Sequence, residues 1–107
     1  MARNGLIGLA IMLAGCGASG SAGAQTVPFD TIVIADFDSP WAMTFLPDGR
    51  MLVTEKAGQL LLVAADGKAR TAVAGVPAVD SAGQGGLMDV VLAPGYATNH
   101  LIYFSYS

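Results

Sequence analysis

Residues 39–55 read SPWAMTFLPDGRMLVTE, two short apolar runs joined by Pro47-Asp48-Gly49. The runs, WAMTFL at 41–46 and MLVTE at 51–55, are each about the length of a β-strand. Proline presets φ at the second position of a turn, and the glycine that follows is free to take positive φ. A connection this tight cannot hold the dozen or more residues of a parallel crossover, so the two strands must be antiparallel neighbours.

The same punctuation continues outward. Ala57-Gly58 separates 51–55 from QLLLVA at 59–64, and Asp66-Gly67 separates that run from a weaker one at 69–74. Together they predict a four-stranded antiparallel meander over 41–74. Ile32-Val33-Ile34, just ahead of it, reads as a further short strand. No helical period of 3.6 is sustained after the first 26 residues.

The pattern then restarts. GGLMDVVLAPGY from Gly85, followed by LIYFSYS from Leu101, lays over 39–55 as strand, proline turn, strand, and Pro94 falls 47 residues after Pro47. That interval suits one four-stranded blade of a β-propeller. A β-sandwich also uses short strands but is not obliged to repeat at this spacing. The sequence therefore predicts an all-β fold, the first one to two blades of a β-propeller over residues 28–107. Each blade buries its faces against its neighbours, so Trp41, Phe45, Tyr103 and Phe104 are expected in inter-blade core, where aromatic rings bury large area. Trp41, at the start of an innermost strand, could instead reach the rim. The chain stops inside the strand-like NHLIYFSYS with no turn or cap, as expected of the N-terminal piece of a longer protein.

The front of the chain has the layout of a secretory signal, with Arg3 as a positive n-region and GLIGLAIMLA at 5–14 as the apolar h-region. The run is about half the ~20 residues a helix needs to span a bilayer. Leu13-Ala14-Gly15-Cys16 resembles the lipobox of bacterial lipoproteins, in which Cys16 would be lipidated and become the new N-terminus. The alternative is cleavage after Ala22-Gly23-Ala24, leaving Gln25 first. The division is then a signal over 1–15, a lipidated, flexible Gly/Ser/Ala tether over 16–27, and the propeller segment. Lipidation with more than one acyl chain would anchor the protein stably at a membrane.

Cys16 is the sole cysteine, which excludes an intrachain disulfide and a cysteine-based metal site. The formal net charge is −3, and removing residues before Cys16 takes away Arg3 and no acid, leaving −4. A nucleic-acid partner would call for a clustered basic face. Here Lys56, Lys68 and Arg70 are scattered and read as solvated.

The innermost strand of a blade lines the central channel, which makes 87–92 a channel strand and Gly83-Gln84-Gly85-Gly86 its entry loop at one rim. Glycine permits close approach and unusual φ/ψ, and the amide of Gln84 offers two donors and an acceptor. Gln84 could face a ligand, or its amide could cap the Gly-rich turn. Asp80 and Asp89 flank the loop as a conceivable acid/base pair, though solvated or turn-satisfied carboxylates are the plainer reading. His100, in TNHLIY, reads as a solvated hairpin-turn residue. Glu55 and Lys56 read as an exposed or partly paired couple.

SPWAMTFLPDGRMLVTEKAGQLLLV, then GQGGLMDVVLAPGY and NHLIYFSY, taken in that order, resemble the start of the glucose/sorbosone dehydrogenase family, over roughly residues 32–107. The resemblance implies a six-bladed propeller in the periplasm that holds pyrroloquinoline quinone (PQQ) over the channel mouth, with Ca2+ nearby. It further implies a histidine base that takes the proton of an aldose's anomeric hydroxyl while hydride passes to the quinone. The cofactor would supply the redox chemistry and the protein orientation, a base and charge. Gln84 matches the family glutamine that hydrogen-bonds a sugar hydroxyl. Lys56 stands where the family often has arginine and carries no assigned role. In the family the base, the calcium ligands and the basic residues around the quinone lie beyond Ser107. The electron acceptor is not legible. A propeller does not by itself imply chemistry, so a non-catalytic binding or scaffold lipoprotein at the cell envelope is the second reading. A lactonase-like propeller with a carboxylate-held metal is the third.

Overall fold

The computed structural model describes residues 26–107. The expected signal over 1–15, Cys16 and nearly all of the expected tether lie outside the described residues. Two units are delimited, Met1–Asp30 and Thr31–Ser107, and every strand of the described residues belongs to the second.

The four predicted meander strands form. β1 (Pro40–Phe45), β2 (Met51–Glu55), β3 (Gln59–Val63) and β4 (Arg70–Ala72) make one antiparallel sheet in sequence order. β5 (Leu87–Leu92) and β6 (Ile102–Tyr106) make a second antiparallel sheet. The Pro47 turn closes as expected, with Gly49 N–H donating to the Leu46 carbonyl at 3.0 Å and Leu46 N–H to the Arg50 carbonyl at 2.8 Å. Asp48 and Asp66 stiffen their turns by accepting from the N–H two residues on, Arg50 and Lys68, each at 3.0 Å.

Pairing register explains the burial. Ala42, Thr44, Leu52, Thr54, Leu60 and Leu62 share one face of the first sheet, because side chains alternate along a strand and the pairs Ala42–Thr54, Thr44–Leu52, Thr54–Leu60 and Leu52–Leu62 are in register. Leu46, Leu52, Leu60, Leu87 and Val90 form the core between the sheets, flanked by Ile102, Phe104 and Tyr96. Met51, Val53, Leu61 and Val63 make a second cluster on the opposite face, where Phe37 packs. All five residues of β2 are buried for this reason.

The sequence reading needs correction at several places. Residues 32–34 form no strand; Ile32 and Val33 are exposed, since an apolar run becomes a strand only against a partner edge. A one-turn helix, α1 (Tyr96–Asn99), occupies the second proline turn, closed by His100 at φ 54°. Of the aromatic residues assigned to core, Phe104 packs there. Trp41, Phe45 and Tyr103 stand 47%, 64% and 58% exposed on faces that no other described strand covers, as the outer faces of one to two blades are expected to be. Trp41, Met43 and Phe45 alternate with Ala42 and Thr44 on β1, so they point away from the second sheet.

The two sheets are stitched by backbone as well as by side chains. Leu87 N–H donates to the Lys56 carbonyl at 3.1 Å. Thr54, fully buried, donates its hydroxyl to the Met88 carbonyl at 2.6 Å and accepts from Ala42 N–H at 3.0 Å.

Candidate functional site

The Gly-rich loop enters β5 from the connection that follows β4. Its stem is tied at both ends. On one side Asp80 N–H donates to the Ser107 carbonyl at 2.8 Å and Ser107 N–H to the Gly86 carbonyl at 3.1 Å, so the end of β6 extends the pairing past its last strand residue. The Ser107 hydroxyl accepts from Gly86 N–H at 3.0 Å. On the other side the turn after β2 holds the loop. Lys56 accepts from Leu87 N–H through its carbonyl and donates from its Nζ to the Gly83 carbonyl.

These contacts account for the glycines. Gly86 sits at φ 130°, and a Cβ there would run into the Lys56 carbonyl; the position needs a residue without a side chain to let the two sheets meet. Gly83, at φ 57°, has open space where a Cβ would go, so its requirement is conformational alone.

Gln84 stands exposed at the tip between these anchors. The turn is capped by Asp80, whose Oδ1 accepts from Ala82 N–H at 2.9 Å, and by Gly85 N–H donating to the Ala82 carbonyl at 3.0 Å. The hydrogen bonds that hold the loop among the described residues run through Lys56, Asp80, Ala82 and Ser107, and the Gln84 amide takes part in none of them. The residue is exposed, and its amide offers two donors and one acceptor. A polar hollow of about 270 Å³, lined by Asp38, Ser39, Lys56, Ala57 and Ser81, adjoins the loop through Lys56.

The other residues singled out from the sequence fall apart spatially and chemically. Asp80 is a turn carboxylate. Asp89 is exposed, accepting from Val90 N–H at 2.9 Å while its own N–H donates to the Ser105 hydroxyl at 3.1 Å. His100 is exposed, edge-on to Tyr96 at 5.5 Å, and lines a separate hollow with Pro47, Asp48 and Arg50.

Two charged residues depart from the solvated reading, Glu55 and Lys56, while Lys68 and Arg70 are exposed as expected. Glu55 is buried and accepts from Asp38 N–H at 2.9 Å rather than pairing with Lys56. Lys56 grips Gly83. Arg70 donates to the Asp36 carbonyl at 3.0 Å and lies over the Phe37 ring at 5.2 Å. Sequence reasoning missed Lys56 and Ser107 as loop anchors, since their partners are 27 and 21 residues away and only the fold brings them together. The one available signal was that Lys56 occupies a tight turn in the predicted meander.

Calcium and quinone are implied by the resemblance. No group of three His, Cys, Asp or Glu side chains able to hold a metal occurs among the described residues. Lys56, the cation at the loop, is committed to a carbonyl, and Arg50 to Asp48 at 2.8 Å. No helix among the described residues is long and apolar enough to cross a membrane.

Comparison with known proteins gives consistent results. A family model described as glucose/sorbosone dehydrogenase matches residues 37–107. The aldose sugar dehydrogenase YliI of Escherichia coli strain K12 is 48% identical over 71 residues, covering 65% of this chain and 19% of that protein. Among solved structures, the PQQ-bound aldose sugar dehydrogenase of Streptomyces coelicolor superposes with a TM-score of 0.65 at 33% identity, over 69% of this chain and 23% of that one. The apo-form of the soluble aldose sugar dehydrogenase of Escherichia coli does so with a TM-score of 0.61 at 50% identity, over 65% and 20%. The antiparallel sheets are thus those of the β-propeller expected from the repeat. The chain spans about a fifth of the length of the curated relatives it matches.

Proposed function

Because the chain belongs to the glucose/sorbosone dehydrogenase family, we propose that it forms the first blades of a PQQ-dependent aldose dehydrogenase, an oxidoreductase acting on the anomeric carbon. The observation that carries this reading is the family match across nearly the whole compact unit, residues 37–107 of Thr31–Ser107. The geometry is compatible with it, since a loop tied at both ends presents an uncommitted amide at its tip.

The part assigned to these residues is substrate recognition. Gln84 hydrogen-bonds a hydroxyl of the sugar, and the loop, rigid at its stem, limits the freedom lost when the sugar binds. The base, the Ca2+ ligands and the seat of the quinone belong to parts of the protein outside these 107 residues, and these residues alone are inactive. Export to the periplasm and anchoring through lipid on Cys16 belong to the same proposal. Mass spectrometry of the mature N-terminus decides between Cys16 and Gln25.

The test is dye reduction by the whole protein with added PQQ and Ca2+, across a panel of aldoses. Reduction supports the enzyme; none across the panel, with the quinone demonstrably unbound, returns the chain to a non-catalytic binding module. Gln84→Ala should lower kcat/KM by the equivalent of ~1–3 kcal/mol, the cost of a polar contact left unpaired, while leaving Tm nearly unchanged. Wild-type kinetics in that variant would remove Gln84 from the sugar site.

A further inference from the structure

We infer that Lys56 is a positioning residue for Gln84, its ammonium fixing the tip of the entry loop from the neighbouring sheet; this rests on the reading of Gln84 as sugar-facing. Lys56 meets the loop at two separated points. Its backbone carbonyl accepts from Leu87 N–H at the loop's exit, and its Nζ donates to the carbonyl of Gly83, the residue immediately before Gln84. The lysine is itself held, since its N–H donates to the Ser39 carbonyl at 3.0 Å and it follows buried Glu55 at the end of β2.

Without the ammonium, the tip is a residue at positive φ with open space around it. Gly83, at φ 57°, has nothing within 4 Å of a Cβ position; the ties at Asp80 and Gly86 act on the stem, and the Gly85 N–H closes the turn around Gly83 and Gln84 on the Ala82 carbonyl. Glycine loses more conformational freedom on ordering than any other residue. A charge-assisted bond to the Gly83 carbonyl adds to that turn bond and holds the peptide joining Gly83 to Gln84 from outside the loop. Lysine suits this task because one donor on a flexible stem suffices for one carbonyl.

The experiment uses the whole protein and three variants, Lys56→Met, Lys56→Arg and Gln84→Ala, with the Met and Ala changes also combined. Methionine keeps the apolar stem and removes the donors, and the backbone bonds of residue 56 survive either change. Hydrogen exchange over 80–88 is read alongside sugar KM and kcat. Lys56→Met should speed exchange at the loop and raise KM about 2- to 10-fold, the range expected for one hydrogen bond, with kcat less affected. Lys56→Arg should recover most of both. In the Gln84→Ala background, Lys56→Met should add little to KM, since the group it positions is gone.

Unchanged exchange at 80–88 in Lys56→Met would overturn the inference. So would a KM increase of equal size with and without Gln84, which would make Lys56 a direct contact to substrate. If Gln84→Ala is kinetically silent while Lys56→Met still loosens the loop, the sugar-facing role falls and the clamp stands.

Discussion

Thr54 offers the sharpest test of how the two sheets are joined. It is fully buried, and its Oγ1 lies 3.0 Å from the Ala42 nitrogen, 2.6 Å from the Met88 oxygen and 3.3 Å from the Ala42 oxygen. A hydroxyl has one proton to give, so the short contact to Met88 takes it. Thr54→Val preserves shape but sets a methyl against the Ala42 N–H and the Met88 carbonyl. Each unsatisfied buried group costs ~1–3 kcal/mol, and the two share one site, so about 2–4 kcal/mol is expected for the pair. Thr54→Ser keeps both hydrogen bonds and loses one buried methyl, worth about 1 kcal/mol. Valine, nearer to threonine in volume, should therefore be the worse replacement. Denaturant unfolding of the whole protein, with unchanged m-values, reads both. A serine variant less stable than the valine one would refute the reasoning and make packing, not the hydroxyl, the bond between sheets.

Gly86→Ala should cost about 2 kcal/mol or more, from φ 130° and the collision with the Lys56 carbonyl, whereas Gly83→Ala, with open space, should cost about 1 kcal/mol; thermal melts that rank them the other way contradict the described loop. Asp48 titrates below its ordinary 3.8, first because Arg50 N–H donates to it and further through the Arg50 guanidinium. Its contribution is thus fully present above that value and lost as pH falls through the lower folded one. The stability difference between wild type and Asp48→Asn should shrink below pH 3.8; a difference that grows in acid would reverse the sign. Residues 27–107 expressed alone should show weak or no cooperative unfolding, since Trp41, Met43, Phe45 and Tyr103 remain wet. A sharp two-state melt from a monomer would count against this.

The strands of the meander were legible because their determinants are local. Alternation and the turns at Pro47, Gly58 and Asp66 lie within the segments they govern, and the observed sheet order follows from short connections alone. What escaped was set by distant partners. Ile32 to Ile34 carry a strand's composition without a strand's neighbour, and Tyr96 to Asn99 take a helical turn that a proline-glycine signal does not distinguish from a loop. Glu55 reads as a charged strand end, yet it is buried because a backbone N–H 17 residues earlier meets it. At the site, the glycines and Gln84 announced an unusual loop, while the Lys56 and Ser107 anchors depend on contacts spanning more than 20 residues.

The uncovered row of Trp41, Met43 and Phe45 on β1 has a consequence for biosynthesis. Domains form in the order in which they leave the ribosome, and transiently bare apolar surface invites aggregation. In a chain holding only these residues the row stays wet, so the stretch does not fold cooperatively and its apolar flank stays open to other chains. Such a species needs protection from aggregation until that face is covered.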